Sequence, residues 1–225
     1  MTTTHHLSRR NLLRAAASLP LLSAPAWAGA PMLGVSTPKH RRFKLGSFEV
    51  TMLLAGTVAR GEPQTIFGLN ASEADFSAAS RAANIPTDQA QFFFTPVVVN
   101  TGAQLVLFDT GLNPEAIVTA LEDAGYSADQ VDMVVITHMH GDHINGLIGD
   151  GAETFPIAQY ATGRVEFDHW VKASSEGFDA KVRPLADKMV MMEDGANGFS
   201  GHTAMAAFGH TQGHKVHMID KDGQQ

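Results

Sequence analysis

The sequence predicts a layered α/β fold, and three observations carry that expectation. The runs 96–100, 105–109 and 131–136 are apolar with almost no polar relief, the pattern of strands in a sheet covered on both faces. Between the last two lies a helix marked at both ends, with Asn113 as cap, Pro114 at the first helical position and Gly125 as terminator; Ile117, Val118 and Leu121 recur at helical spacing. A cluster of chemically active side chains follows directly on the run 131–136, and α/β sheets carry their sites outside the carboxyl ends of strands.

The elements follow in order along the chain. Residues 43–54 read as two short strands around Gly46 and Ser47, a hairpin that opens the sheet. Residues 55–91 have the weakest pattern: Gly56, Gly61 and Pro63 punctuate them, 70–73 mark the start of a helix through Ala83, and Asn84-Ile85-Pro86 stops it. That stretch is expected to form a rim or lid on the substrate side. Phe92, Phe93 and Phe94 are read chiefly as core, with the lining of an apolar pocket as the alternative. A hairpin through 101–104 joins 96–100 to 105–109, and residues 126–130 feed the strand 131–136. Beyond the cluster, 144–148 is a loop or single helical turn, 157–160 a strand and 164–171 a helix. Residues 188–192 and 203–208 are the next two strands, joined by a glycine-rich loop, and 215–219 the last. Met189, Met191 and Met192 are core filler.

Thr137-His138-Met139-His140-Gly141-Asp142-His143 puts three imidazoles and a carboxylate at the exit of a strand. On extended backbone His138 and His140 point to one side, because strand side chains alternate, while Asp142 and His143 fall on the turn that follows. One pair can hold a first metal ion and the other a second, with Gly141 permitting a tight backbone between them. Ligands of this borderline softness suit zinc best, with iron, manganese and cobalt as alternatives.

This His-x-His-x-Asp-His pattern resembles the signature of the metallo-β-lactamase superfamily of hydrolases. Phe108-Asp109-Thr110-Gly111 upstream and Gly209-His210-Thr211-Gln212-Gly213-His214 downstream support the resemblance, which runs from Phe43 onward. It implies a four-layer αβ/βα sandwich. It also implies that His210 joins His138 and His140 on metal one, that Asp142 and His143 serve metal two, and that His214 is a neighbour that steadies the site. Asp109 is expected either to accept a hydrogen bond from a ligand imidazole or to cap a turn, and Thr137 to back the site through its hydroxyl or to act as a plain strand former. Asp142 has a catalytic role open to it as well, since a carboxylate beside the reacting water can take its proton and pass it to a leaving group.

The implied reaction is hydrolysis, with a zinc-activated hydroxide attacking a lactone, ester or phosphotriester, in an exported branch similar to organophosphate hydrolases and acyl-homoserine lactone lactonases. A mononuclear-iron sulfur dioxygenase of the same fold and a metal-binding fragment without activity are the alternatives. The family pattern further includes a metal-bridging Asp and a final His downstream of the third His. Asp220 and Asp222 fall too early for the first of these, in a Lys221-Asp222-Gly223 turn. Residues 29–225 are therefore expected to form an incomplete metallo-β-lactamase-like domain without its C-terminal half, with two zinc ions bound only by the full-length chain.

Ser8-Arg9-Arg10 before a modest apolar run ending in Ala26-Trp27-Ala28 reads as a twin-arginine-type signal peptide over residues 1–28, which would place the protein in the bacterial periplasm or outside the cell. His5 and His6 would leave with it. The chain has no cysteine, so stability must come from the core. A net charge of -7 with scattered Lys and Arg gives no basic patch, which leaves a small-molecule substrate and no nucleic acid as the expected partner. No apolar run after the signal is long enough to cross a membrane. His169, His202 and His217 belong to no motif, and nothing in the sequence speaks to oligomeric state. Replacing Arg9 and Arg10 together by Lys is expected to hold the precursor in the cytoplasm; an unchanged periplasmic yield on cell fractionation would exclude that export route.

Overall fold

The computed structural model describes Gly34, residues 36–173 and residues 175–225, and its compact unit runs from Thr37 to Gln225. The expected signal peptide lies outside the described residues. In chain order the elements are β1 (His40–Leu45), β2 (Phe48–Leu53), β3 (Gly56–Gly61), α1 (Glu73–Ala82), β4 (Gln89–Phe94), β5 (Val97–Asn100) and β6 (Leu105–Phe108). There follow α2 (Pro114–Asp123), β7 (Met133–Ile136), α3 (Gly141–Ile144), β8 (Ile148–Gly149), β9 (Ala152–Glu153), β10 (Gln159–Gly163), α4 (Arg164–Lys172) and α5 (Glu176–Lys181). The last are β11 (Met189–Met192), β12 (His202–Ala206) and β13 (Lys215–Ile219). No helix among the described residues is long and apolar enough to cross a membrane.

A seven-stranded sheet in the order β1-β2-β5-β6-β7-β10-β11 organises the unit. Its first strands are antiparallel hairpins, whereas β6, β7, β10 and β11 run parallel. The helical crossover between β6 and β7 is specified locally. Asn113 accepts a hydrogen bond from the Ala116 amide at 2.8 Å, Pro114 opens the helix, and Ile117 and Leu121 are fully buried beneath it.

The near-continuous apolar strands are explained by two faces, each with its own core. Leu105, Leu107, Val134 and Ile136 share a core with Ile117 and Leu121 of α2, Phe178 of α5 and Leu185 of the 3-10 turn that follows it. Val106, Phe108, Met133 and Val135 face the other way and pack with Phe199 and Ala204 of the β12–β13 layer. Helix layer, sheet and facing sheet are successive layers of the αβ/βα sandwich expected from the resemblance. Truncating one of these fully buried side chains to alanine costs roughly 2–5 kcal/mol in a core of this kind. A groove of about 550 Å³ between β1, β5 and β13 is lined by Phe43, Leu45, Val97, Val216 and Met218.

Several elements depart from the sequence expectation. The poorly patterned stretch 55–91 contains β3, which pairs with β4 in a separate two-stranded sheet. The phenylalanine run is therefore an edge hairpin and not core: Phe92 and Phe94 are half-buried, and Phe93 is exposed. The helix there starts after Ser72, which accepts from the Asp75 amide. The strand expected at 157–160 begins at Gln159, because pairing with β7 starts there in the register Gln159↔Met133, and Ile157 is left 60 % exposed. Helix α5 and the 3-10 turn Arg183–Lys188 lacked a legible pattern. β11 and β12 are not neighbours, since β11 closes the main sheet and β12 pairs with β13 in the facing layer.

Candidate metal centre

Parallel pairing of β6, β7 and β10 brings their carboxyl ends to one edge. Asp109 follows β6, His138 and His140 follow β7, and Glu166 lies in the first turn of the helix after β10. The strand β7 ends at Ile136, earlier than an extended His-x-His would require. Its ladder stops because the Thr137 amide donates to Asp109 Oδ1 at 2.9 Å. The alternation nevertheless persists: Met139 points into the core at 1 % exposure while His138 and His140 flank it. His140 is the extended N-cap residue of α3, a single helical turn that carries Asp142 and His143.

That turn is clamped from below by the Asp109-Thr110-Gly111 segment. Thr110 is fully buried; its amide and its hydroxyl both donate to the His143 carbonyl, at 2.9 and 2.8 Å. Gly146 closes against it so tightly that a Cβ there would come within 2.3 Å of the Thr110 carbonyl oxygen. A larger residue at 146 would therefore displace the backbone that holds His143.

His138, His140 and His210 form a metal-binding group whose ligand atoms all lie within 4.8 Å of one another. His138 Nε2 and His210 Nε2 are 3.1 Å apart, close to the separation of about 3.3 Å that two nitrogens adopt on one tetrahedral zinc. Burial, followed by the nearby His143, pushes His138 down to about 3, and burial followed by His210 lowers His140. Both imidazoles are thus neutral at pH 7 and present lone pairs, as a metal ligand must. A donor set of three converging nitrogens fits zinc with a coordination position left open.

Asp142 and His143 lie beside this group and not within it. The rings of His143 and His138 are 3.8 Å apart between centroids, and His143 Nε2 is 3.5 Å from Asp142 Oδ2. Burial alone would lower His143, but hydrogen bonds to Asp109 and then Asp142 outweigh it and raise the imidazole to about 9. The hydrogen bond with His143 in turn holds Asp142 below the ordinary carboxylate range, against the effect of its burial.

Asp109 sets the tautomers of two histidines at once. Its Oδ2 accepts from the Thr137 hydroxyl at 2.9 Å and from His143 Nδ1 at 2.8 Å. Since the Thr137 proton is committed to Asp109, the 3.0 Å contact between Thr137 Oγ1 and His138 Nδ1 has the imidazole as donor. A proton on Nδ1 leaves the Nε2 lone pair of His138 free to face a metal, whereas His143, protonated on both nitrogens, would first have to give up its Nε2 proton. Asp109 occupies the left-handed region at φ 59°, which Asp and Asn tolerate best.

His214 is a neighbour of the group. Its Nδ1 contacts the Ala207 carbonyl at 3.1 Å, and its ring stands edge-on to His138 with centroids 5.0 Å apart. His169 lines a cleft of about 450 Å³ with His140, Trp170, Phe208 and His210, while His202 and His217 lie elsewhere, against Phe108. A second cleft, about 220 Å³, is lined by Phe92, Phe94, Pro96, Asp109, Asp142 and His143. It adjoins a third of about 310 Å³ that Val58, Ile66, Leu112 and Asp142 share with the same two phenylalanines. Phe67, Phe92 and Phe94 stack in series, with centroids 5.7 and 6.5 Å apart. Glu166 and Trp170 belong to no sequence motif; their spacing of four within a helix, placing both on one face, is the local signal they carry.

Comparison with known proteins agrees with this fold. Residues 95–219 match the metallo-beta-lactamase superfamily. A ribonuclease Z of Salinibacter ruber (strain DSM 13855 / M31) is 35% identical over 68 residues, and that match spans 30% of this chain and 20% of the relative. Among solved structures, the hydrolase AbOPH of the beta lactamase superfamily superimposes with a TM-score of 0.73 at 21% identity, covering 84% of this chain and 72% of that one. AidC, a dizinc quorum-quenching lactonase, gives 0.72 at 21% identity, covering 82% and 71%. A probable metal-dependent hydrolase from Staphylococcus aureus gives 0.67 at 19% identity, covering 80% and 72%.

Asp109→Asn tests the tautomer argument, because an amide cannot accept on both sides and would turn at least one histidine. The fold should hold, since Asn also accepts a left-handed backbone, whereas metal affinity is expected to fall about 10- to 100-fold. Competition titration against a chromogenic chelator measures this, and wild-type affinity in the variant would refute the assignment.

Proposed function

The chain belongs to the metallo-beta-lactamase superfamily, and on that premise we propose that it is a metal-dependent hydrolase of small lactones or esters, with phosphotriesters next in order. The observation that carries the reading is the convergence of His138, His140 and His210 beside the Asp109-tethered pair Asp142 and His143. In this reading the three histidines hold one zinc ion, and Asp142 and His143 contribute to a second. Bound zinc lowers the pKa of a coordinated water towards roughly 7 and polarises the oxygen of the bond to be cleaved.

The residues of the chain supply the rest. Asp142, an ionised carboxylate at the junction of two clefts, takes a proton from the attacking water and returns it to the leaving group. Phe92, Phe94, Leu112 and Val58 give an apolar acyl or aryl group a place beside that carboxylate. The likeness to AidC, a dizinc quorum-quenching lactonase, supports this substrate class, and the likeness to the hydrolase AbOPH supports hydrolysis. The ribonuclease Z match covers only 68 residues, and a net charge of -7 with scattered Lys and Arg does not favour a polyanionic substrate. The arginine pair before the apolar N-terminal run supports an exported enzyme.

Purified protein is expected to contain a zinc-like metal by elemental analysis. Assayed against a lactone, an aryl ester, a phosphotriester, a thioester and a β-lactam, it should hydrolyse one of the first three, lose that activity to a chelator and regain it with zinc. Metal-loaded protein inert towards the whole panel would refute the reading, and bound iron with oxygen uptake on a persulfide would identify the dioxygenase instead.

The second ion carries a pH signature. His143 holds its proton up to about 9, so an ion taken up there must expel it, and affinity falls as pH drops below that value. Calorimetry of the second zinc equivalent at pH 7, in two buffers of different ionisation heat, should report about one proton released. No release at pH 7 would remove His143 from the ligand set.

A further inference from the structure

Glu166 is the only acidic side chain with 0 % exposure among the described residues. A carboxylate so placed is costly unless every lone pair it turns inward is met, and here four donors meet it. The Met139 amide and Trp170 Nε1 donate to Oε1 at 3.0 and 2.7 Å, and the Thr211 hydroxyl and the Gly213 amide donate to Oε2 at 2.7 and 2.8 Å. Two backbone amides and an indole are donors only, so the position requires a group that accepts on both sides.

Each donor comes from a segment that carries or touches a histidine of the metal group. Met139 lies between His138 and His140. Thr211 and Gly213 belong to the turn that begins with His210. Trp170 stands edge-on to the His140 ring, with centroids 6.2 Å apart. The approach of the His210 turn to α4 is close enough that a Cβ on Gly213 would lie 2.1 Å from the Glu166 amide nitrogen. No other side chain described here bridges the two ligand loops by hydrogen bonds to both.

We infer that Glu166 is a positioning residue that ties the His210 turn to the His138–His140 loop and thereby sets the spacing of the three imidazoles. The inference rests on reading those histidines as one metal site. It makes an asymmetric prediction. In Glu166→Gln the amide oxygen can serve the Met139 and Trp170 donors, neither of which can reverse. The NH2 group then faces Thr211, whose hydroxyl can turn to accept, and Gly213, whose amide cannot. The His210 side is therefore the one released, while His138 and His140 keep their support. Thr211→Val removes a single donor from the same side.

The test uses the full chain as wild type, Glu166→Gln and Thr211→Val, with zinc alone as the probe, held to no more than one equivalent so that the three-histidine site is the one read. Affinity is read by competition titration, and the number of imidazoles on zinc by X-ray absorption. The expected result is three imidazoles in the wild type, two in Glu166→Gln with affinity about 10- to 100-fold lower, and a smaller loss in the same direction for Thr211→Val. Three imidazoles and wild-type affinity in both variants would overturn the inference alone. A wild-type chain that takes up no zinc would overturn the metal-site reading and this inference with it. Should Glu166→Gln fail to melt cooperatively, Thr211→Val decides on the same two measurements.

Discussion

Everything at the candidate centre depends on parallel pairing of β6, β7 and β10, because it delivers two carboxylates to either side of one short loop. Asp109 arrives from β6 and takes the Thr137 amide and hydroxyl and His143. Glu166 arrives from the helix after β10 and takes the Met139 amide. The loop 137–140 is thus fixed from both flanks by acceptors that the strand ladder would otherwise have supplied. That is the physical reason the ladder can end at Ile136 without leaving the following backbone unsatisfied. A site built this way inherits the rigidity of the sheet and not of a loop, which is what a metal group needs to stay pre-organised.

The same arrangement divides the histidines into two electrostatic classes. His138 and His140 are neutral because burial and neighbouring imidazoles disfavour their charge. His143, equally close to them, is held charged by two carboxylates. Neutral ligands can accept a metal ion without losing a proton, whereas the third must exchange one for it. In the proposed two-ion reading, affinity at the two positions would therefore respond differently to pH although the side chains are the same and the rings of His138 and His143 lie 3.8 Å apart. Asp109 touches both: it fixes the tautomer of His138 through the Thr137 hydroxyl and favours the charge of His143 directly.

Much of this was legible in the sequence where the signal was local. The cap at Asn113, the apolar runs 105–109 and 131–136 and the spacing of His138, His140, Asp142 and His143 each speak within a few residues. What escaped notice depends on partners distant in sequence. β3 becomes a strand by pairing with β4, some thirty residues on in register Gly61↔Gln89 to Gly56↔Phe94, and its own residues Gly-Thr-Val-Ala-Arg-Gly carry little strand pattern. The phenylalanine run has core composition, yet it sits on that hairpin and lines clefts. Glu166 was invisible because a single Glu in a surface-patterned helix reads as solvated; only the return of Gly213 against α4 buries it.

Histidine alone is a poor indicator of a metal site, as a second cluster in the same molecule shows. His202 and His217 stack with centroids 5.0 Å apart, flanked by Phe108 and Phe199, and burial lowers them to about 4 and about 3, His202 adding to the effect on His217. They are as neutral as His138. Their lone pairs, however, are spent: the Gly198 amide donates to His202 Nδ1, so His202 Nε2 carries the proton and donates to His217 Nδ1 at 2.8 Å. What separates the two clusters is the direction in which the free nitrogens point. At His138 the Thr137 hydroxyl, committed to Asp109, draws the proton to Nδ1 and turns the lone pair inward, and in the stack a backbone amide does the reverse. Neutral imidazoles become ligands where an acceptor lies behind them, and packing elements where a donor does.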